Sequence, residues 1–233
     1  MQPADRHTSD VAVPARGTFV TFEGADGAGK TTQTALLRSA LSRAGYDALT
    51  IREPGGTEVG ERIRAILLDP GLEGTDPVSE LLMYEAARAQ LVRQVVEPAL
   101  ERGQVVISDR FTDSTVAYQG FGRGIPVATV ESLNRIACRG TVPDRTIVLD
   151  IDPDYSWRRA TNGVEADRIE LEGAEFQRRV RDGFLDSARK DPARVRVVDA
   201  SGDVGEVWAR VRAELGDLFD LPEALPCTEV AHG

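Results

Sequence analysis

Lysine is almost missing from this chain of 233 residues: it occurs only at Lys30 and Lys190, so 26 of the 28 basic residues are arginine. Histidine is as scarce, and His7 and His232 both lie in the terminal segments, which argues against chemistry built on an imidazole base. Cys138 and Cys227 are the only cysteines. They lie far apart with no histidine near either, so neither a disulfide framework nor a thiolate metal site is indicated, and two unpaired thiols in a reducing compartment are expected. No run approaches the roughly eighteen consecutive apolar residues of a membrane span. The first sixteen residues, MQPADRHTSDVAVPAR, lack the basic start and apolar stretch of a signal peptide, so a cytoplasmic location is expected. Positive charge is also in deficit: 28 basic against 38 acidic residues give −10, a field that repels nucleic acid and anionic membranes and leaves small soluble ligands as partners.

What is present suits one buried α/β domain, with 41% apolar residues to fill a core. Five short β-rich runs, TFVTFE (18–23), DALTIR (47–52), QVVISD (104–109), RTIVLDI (145–151) and RVRVVDA (194–200), stop at turn or acidic residues. Segments of helical spacing separate them, which predicts a parallel sheet covered by helices on both faces, with ligands beyond the carboxyl ends of the strands. One helix follows at 31–44. A longer one starts near Asp76 and places Val92, Val95, Val96, Ala99 and Leu100 on one face. Pro98 falls inside that pattern, so a kink or change of register is expected there. Between 153 and 192 the pattern is helical except for TNGVEAD (161–167), which reads as a flap, giving a short lid at about 158–170. Residues 1–16 and 219–233 read as poorly ordered tails around a domain at 17–218. Trp157 and Trp208 sit in helical patterns, as core or interface residues.

The stretch FEGADGAGKTT (22–32) holds the pattern G-x-x-x-x-G-K-[ST] at Gly24, Gly29, Lys30 and Thr31. A strand enters it and a helix leaves it, so the backbone N–H groups of Gly24, Ala25, Asp26, Gly27, Ala28 and Gly29 and the helix start at Thr31 and Thr32 can face phosphate oxygens. This is the P-loop NTPase arrangement: Lys30 reaches the β and γ phosphates of ATP and the Thr31 hydroxyl binds Mg²⁺. Where the terminal phosphate goes stays open at this point, because water, a protein partner and a second small molecule are all possible acceptors. VVISDR (105–110) adds a strand-ending Asp109, a candidate magnesium carboxylate that could also be a simple turn former. Beside it stands Arg110, able to hold a phosphate by two parallel bonds.

FEGADGAGKTTQ (22–33), REPGGT (52–57), LLMYEAARAQ (81–90), DRFTDSTVAYQGFGRGI (109–125) and DRIE (167–170) occur in the order and spacing of bacterial thymidylate kinases, which the chain resembles from about Gly17 to Leu218. The resemblance implies phosphorylation of dTMP to dTDP by Mg·ATP in a homodimer. By the same resemblance Tyr84 and Arg88 grip the thymine ring, and their i, i+4 spacing agrees with one helix face. Tyr118 falls on the deoxyribose pocket, with Ser114 and Thr115 lining the same stretch. Asp26 corresponds to the loop acid that accepts a hydrogen bond from the 3′-hydroxyl, and Arg110 to the acceptor-phosphate arginine. Arg52 and Pro54 open REPGGT, whose Pro54-Gly55-Gly56 run makes a tight turn near the monophosphate. The 200–202 loop is implied in adenine selection. Some family members carry an arginine directly after the loop acid, where this chain has Gly27. Others supply it from the lid, but TNGVEAD has none, so the transition-state arginine is sought among the flanking residues: Arg159 and Arg168 first, then Arg158.

Overall fold

In a computed structural model of the chain, the described residues are 16–72, 74–152, 168–169 and 172–223. Five strands, β1 (Phe19–Glu23), β2 (Ala48–Arg52), β3 (Val105–Asp109), β4 (Arg145–Asp150) and β5 (Val195–Asp199), form one sheet. Their order is β2-β3-β1-β4-β5 and every pairing is parallel. Each strand falls within a stretch predicted from the sequence. The connecting helices are α1 (Lys30–Arg43), α2 (Glu58–Leu68), α3 (Pro77–Leu91), α4 (Glu97–Glu101), α5 (Thr112–Thr115), α6 (Val127–Cys138), α7 (Ala174–Lys190) and α8 (Val204–Glu214).

Alternation along the strands fills two cores. Val105 and Ile107 of β3 join Val20, Phe22, Leu37, Leu41, Trp208 and Val211 on the α1–α8 face. Val106, between them in sequence, joins Phe19, Leu91, Val92, Val96, Leu100 and Phe111 on the opposite face. A sheet buried on both sides needs apolar residues at both parities, which explains the near-continuous apolar runs. Trp208 is a core residue. Phe219 and Leu221, inside the segment read as a poorly ordered tail, are buried at 4% and 8% exposure in its cluster. The packed domain therefore extends past 218, because the face of the sheet under α8 offers apolar surface that these two side chains close. Residues 224–233, Cys227 among them, lie outside the described residues, as do 1–15.

The break expected near Pro98 takes the form of a π-helical turn over Val92–Val96, after which α4 restarts with the proline in its first turn. Proline has no N–H and its ring clashes with the carbonyl four residues back, so a widened turn just ahead of it relieves both problems. Asp76 caps α3, accepting hydrogen bonds from the Val78 and Ser79 N–H groups. A second π-helical turn, Val116–Gly122, carries Tyr118 and Gln119 with both buried. Among the described residues no helix is long and apolar enough to cross a membrane.

Candidate active site

Beyond the carboxyl ends of β1, β2 and β3 lies a cavity of about 470 Å³. Its donor side is the loop between β1 and α1. Gly24 has φ 132°, and a Cβ there would sit 2.5 Å from the Leu149 carbonyl oxygen, so glycine is required both by conformation and by the close approach of β4. Gly29 is the N-cap of α1 with φ 95° and no side-chain cap, and the first turn holds no acidic residue. The α1 N-terminus therefore keeps its positive end available to an anion. Lys30 is 7% exposed, and its Nζ donates to the carbonyls of Gly24 (3.1 Å) and Ala25 (2.8 Å). Burial lowers its pKa, as does Arg110, while Asp26, Asp109 and Glu23 oppose the shift. Asp26, Gly27, Gly29, Lys30, Thr31 and Thr32 line the cavity. Ala25 and Ala28 are buried behind it.

Thr31 Oγ1 donates to Asp109 Oδ2 at 2.9 Å. Two hard oxygen donors thus meet beside the phosphate loop, a set that fits a magnesium ion completed by phosphate oxygens and water. Among the described residues no cluster of three or more His, Cys, Asp or Glu side chains could hold a metal by itself.

Arg110 sits at the centre. Its Nη1 donates to the Gly24 carbonyl (3.2 Å) and Ser114 Oγ (3.1 Å), and its Nη2 to Asp26 Oδ1 (2.5 Å) and the Tyr118 hydroxyl (3.1 Å). Burial alone would raise the Asp26 carboxyl, but Arg110 and Lys30 outweigh it and hold the group down at about 2. Burial pushes the Tyr118 phenol up, so it stays protonated and can donate to Asp26 (3.3 Å).

The opposite wall carries Arg52, Pro54, Tyr84, Arg88, Ser114 and Thr115. Gly55 and Gly56, at φ 136° and 77°, make the tight turn expected after Pro54. Arg52 donates to the Pro54 carbonyl and to Glu61 (3.1 Å). Arg88 is 2% exposed and uses all five of its N–H donors on protein: Nε and Nη2 to Glu53, Nη1 to Glu85 and Asn134, and Nη2 again to the Phe111 carbonyl. It lines the cavity yet is also the bolt joining α3, α6 and the β2–α2 connection. Thr115 Oγ1, Glu53 Oε1 and Glu85 Oε2 are buried without hydrogen-bond partners. Of these, Thr115 and Glu53 belong to cavity-lining residues.

The structure thus brings together most of the residues singled out in the sequence, with two departures, Arg168 and the 200–202 loop. Arg168 is 3% exposed and is not on the cavity wall. Its Nη2 donates to Glu80 Oε2 (2.6 Å) and its Nε to the Leu67 carbonyl (3.0 Å). Buried Glu80, which also accepts from Gln119 and Arg123, holds the guanidinium in a packed ion cluster. Arg158, Arg159, Trp157 and most of the lid lie outside the described residues. The 200–202 loop does not line the cavity; its Ser201 carbonyl accepts from Arg210 at 2.6 Å. Sequence reading missed Glu53, Arg64, Leu68, Gln119 and Ile169 on the wall, and Glu23 beneath it. Gln119 had a signal, since it follows Tyr118 in the same motif. Arg64, among so many arginines, had none.

A glycine-built phosphate cradle, an uncapped helix N-terminus, a threonine–aspartate pair for a metal and an arginine bridging to a second compartment define a P-loop phosphotransferase of the nucleoside monophosphate kinase class. Residues 22–211 match the family described as thymidylate kinase. The thymidylate kinase of Pelotomaculum thermopropionicum is 54% identical over 187 residues, covering 80% of this chain and 87% of that protein. That of Deinococcus radiodurans is 45% identical over 202 residues, covering 87% and 98%. The crystal structure of the thymidylate kinase from Ehrlichia chaffeensis superposes with a TM-score of 0.71 at 37% identity, covering 86% of this chain and 99% of that one. The chain belongs to the thymidylate kinase family.

Proposed function

We propose that the protein transfers the γ-phosphoryl group of Mg·ATP to the phosphate of dTMP, giving ADP and dTDP. One observation carries the reading: a single cavity is lined by donor residues (Lys30, Thr31), by Tyr84, Arg88 and Tyr118 on the acceptor side, and by Asp26 and Arg110 between them. An acceptor-phosphate oxygen attacks the γ-phosphorus as the bond from that phosphorus to the β–γ bridging oxygen breaks, with ADP as leaving group. Catalysis of this kind is mostly positioning and charge neutralisation. Lys30 exchanges its loop carbonyls for the β and γ oxygens. Arg110 turns from Asp26 to the acceptor phosphate, and Asp26, kept ionised, accepts a hydrogen bond from the 3′-hydroxyl. When bound at Thr31 and Asp109, Mg²⁺ supplies further neutralisation of the triphosphate. The Tyr84 ring stacks on thymine, Thr115 offers its unpartnered hydroxyl to the base edge, and the Tyr118 ring occupies the space of a ribose 2′-hydroxyl. Arg52 and Pro54 border the monophosphate, with Arg159 of the lid proposed for the transition-state charge.

Both nucleotides belong to the cytoplasm, where this reading puts the protein. A homodimer is part of the same reading, supported by exposed apolar side chains on adjacent helices: Val59 and Ile66 on α2, and Val78 and Leu82 on α3. The deciding experiment is a coupled assay with ATP, Mg²⁺ and either dTMP, dUMP, thymine ribonucleoside monophosphate, dCMP or dGMP. Formation of dTDP with dTMP strongly preferred is expected; absence of dTDP, or equal use of dCMP or dGMP, overturns the reading.

A further inference from the structure

We infer that Glu23 is a positioning residue for the acceptor side of the transfer: its buried carboxyl group fixes the segment that begins at Arg110 and so sets the place from which that guanidinium works. The inference rests on Arg110 being the acceptor-phosphate group. Glu23 ends β1, is 0% exposed and lies beneath the cavity wall. Its Oε1 accepts from the Phe111 N–H at 2.7 Å and its Oε2 from Ser114 Oγ at 2.5 Å. Ser114 Oγ in turn accepts from Arg110 Nη1, so one carboxylate grips both the backbone after Arg110 and a partner of its side chain.

The need for this grip is visible in the backbone. Arg110 has φ 72°, a left-handed conformation that persists in a non-glycine residue only where its surroundings hold it. Three hydrogen bonds do so: the Arg110 N–H donates to the Phe22 carbonyl (2.9 Å), Ser108 Oγ donates to the Arg110 carbonyl (2.6 Å), and the next N–H donates to Glu23. Tyr118, Asp26 and the Gly24 carbonyl orient the far end of the guanidinium; Glu23 fixes its root. A carboxylate is an expensive way to fill such a position. Burial, with Asp113 adding to it, pushes Glu23 up to about 8, against the pull of Ser114, Arg110 and Phe111. An apolar side chain would avoid that cost but would leave the Phe111 N–H buried without an acceptor. Glutamine keeps an oxygen for Phe111. Its amide nitrogen, however, can only donate to Ser114 Oγ, where it competes with Arg110, whereas the ionised form of Glu23 accepts from that hydroxyl.

The test compares Glu23→Ala, Glu23→Gln and Ser114→Ala with the wild type in steady-state kinetics, each nucleotide varied in turn, with circular dichroism to verify folding. Misplacement on the ångström scale costs about a hundredfold in rate. Glu23→Ala is therefore expected to lower kcat about a hundredfold and raise KM for dTMP about tenfold, with KM for ATP within about twofold of wild type. Glu23→Gln should recover about tenfold of the loss through the Phe111 bond, and Ser114→Ala should fall between glutamine and wild type. Should Glu23→Ala misfold, the same split between the two KM values is read from the other two variants. Variants that match wild type, or that raise both KM values equally, overturn the inference. Absence of dTDP from the wild type itself defeats the proposed reaction instead; dTMP and ATP binding by calorimetry then tests Glu23 by the same split.

Discussion

Arg88→Ala removes five hydrogen bonds from a side chain 2% exposed and leaves Glu53 and Glu85, themselves buried, without their cation. Breaking a buried ion pair from one side costs about 3–5 kcal/mol, a large part of the roughly 5–15 kcal/mol that holds a domain together. For a domain of this size that corresponds to a fall in Tm of about 6–20 °C. The loss also depends on pH with a definite sign. Burial already raises both carboxyls in the folded protein, and Arg88 is the influence pulling them down. Without it they rise further, so the folded state holds protons more tightly than the unfolded state. Stability is then present at low pH and lost as pH climbs through the folded pKa values. Urea unfolding followed by circular dichroism at about pH 5 and about pH 9 should show a deficit relative to wild type that grows with pH. Where the variant is folded, dTMP binding should weaken far more than ATP binding, because Arg88 lies on the acceptor wall. A penalty under about 1 kcal/mol, or one independent of pH, would refute the ion-cluster reasoning. Equal losses for the two nucleotides would refute the placement of the base.

Lys30→Ala should lower kcat by about a thousandfold while Arg110 still pairs with Asp26; turnover near wild type would remove Lys30 from the mechanism. Gly24→Ala should weaken ATP binding and destabilise the fold by about 1–3 kcal/mol, read by calorimetry and thermal melts, because its Cβ meets the Leu149 carbonyl at a left-handed φ. Tyr118→Phe removes the hydroxyl that links Arg110 to Asp26 and keeps the ring. The expected result is a fall in kcat of about tenfold with unchanged preference for deoxyribose over ribose, measured with the two thymine nucleotides as competitors. Asp109→Asn should raise the Mg²⁺ concentration needed for half-maximal rate, with little effect on dTMP binding at saturating metal.

What the sequence determined by itself is local chemistry. Five apolar runs bounded by turn residues became five strands, because a sheet covered on both faces demands that composition at every position. The spacing from Gly24 to Thr31 fixed the phosphate loop, because eight consecutive residues carry the whole device. Asp109 and Arg110, adjacent in the chain, were legible for the same reason, and REPGGT and DRF…YQG narrowed the family. Tertiary structure decided how distant side chains divide one another's hydrogen bonds. Arg88 and Arg168 read equally well as ligand-facing arginines. The first keeps a place on the cavity wall while spending every donor on Glu53, Glu85, Asn134 and Phe111; the second is drawn off the wall by Glu80, some ninety positions earlier. Glu23 looked like the end of a strand, and only folding sets its carboxylate under Phe111 and Ser114. Phe219 and Leu221 looked like the start of a tail until the apolar face beneath α8 claimed them. An arginine or a glutamate carries no mark of its partner in the residues beside it. The partner is fixed by which donor and acceptor atoms the tertiary packing brings to within about 3 Å, the range over which a hydrogen bond forms.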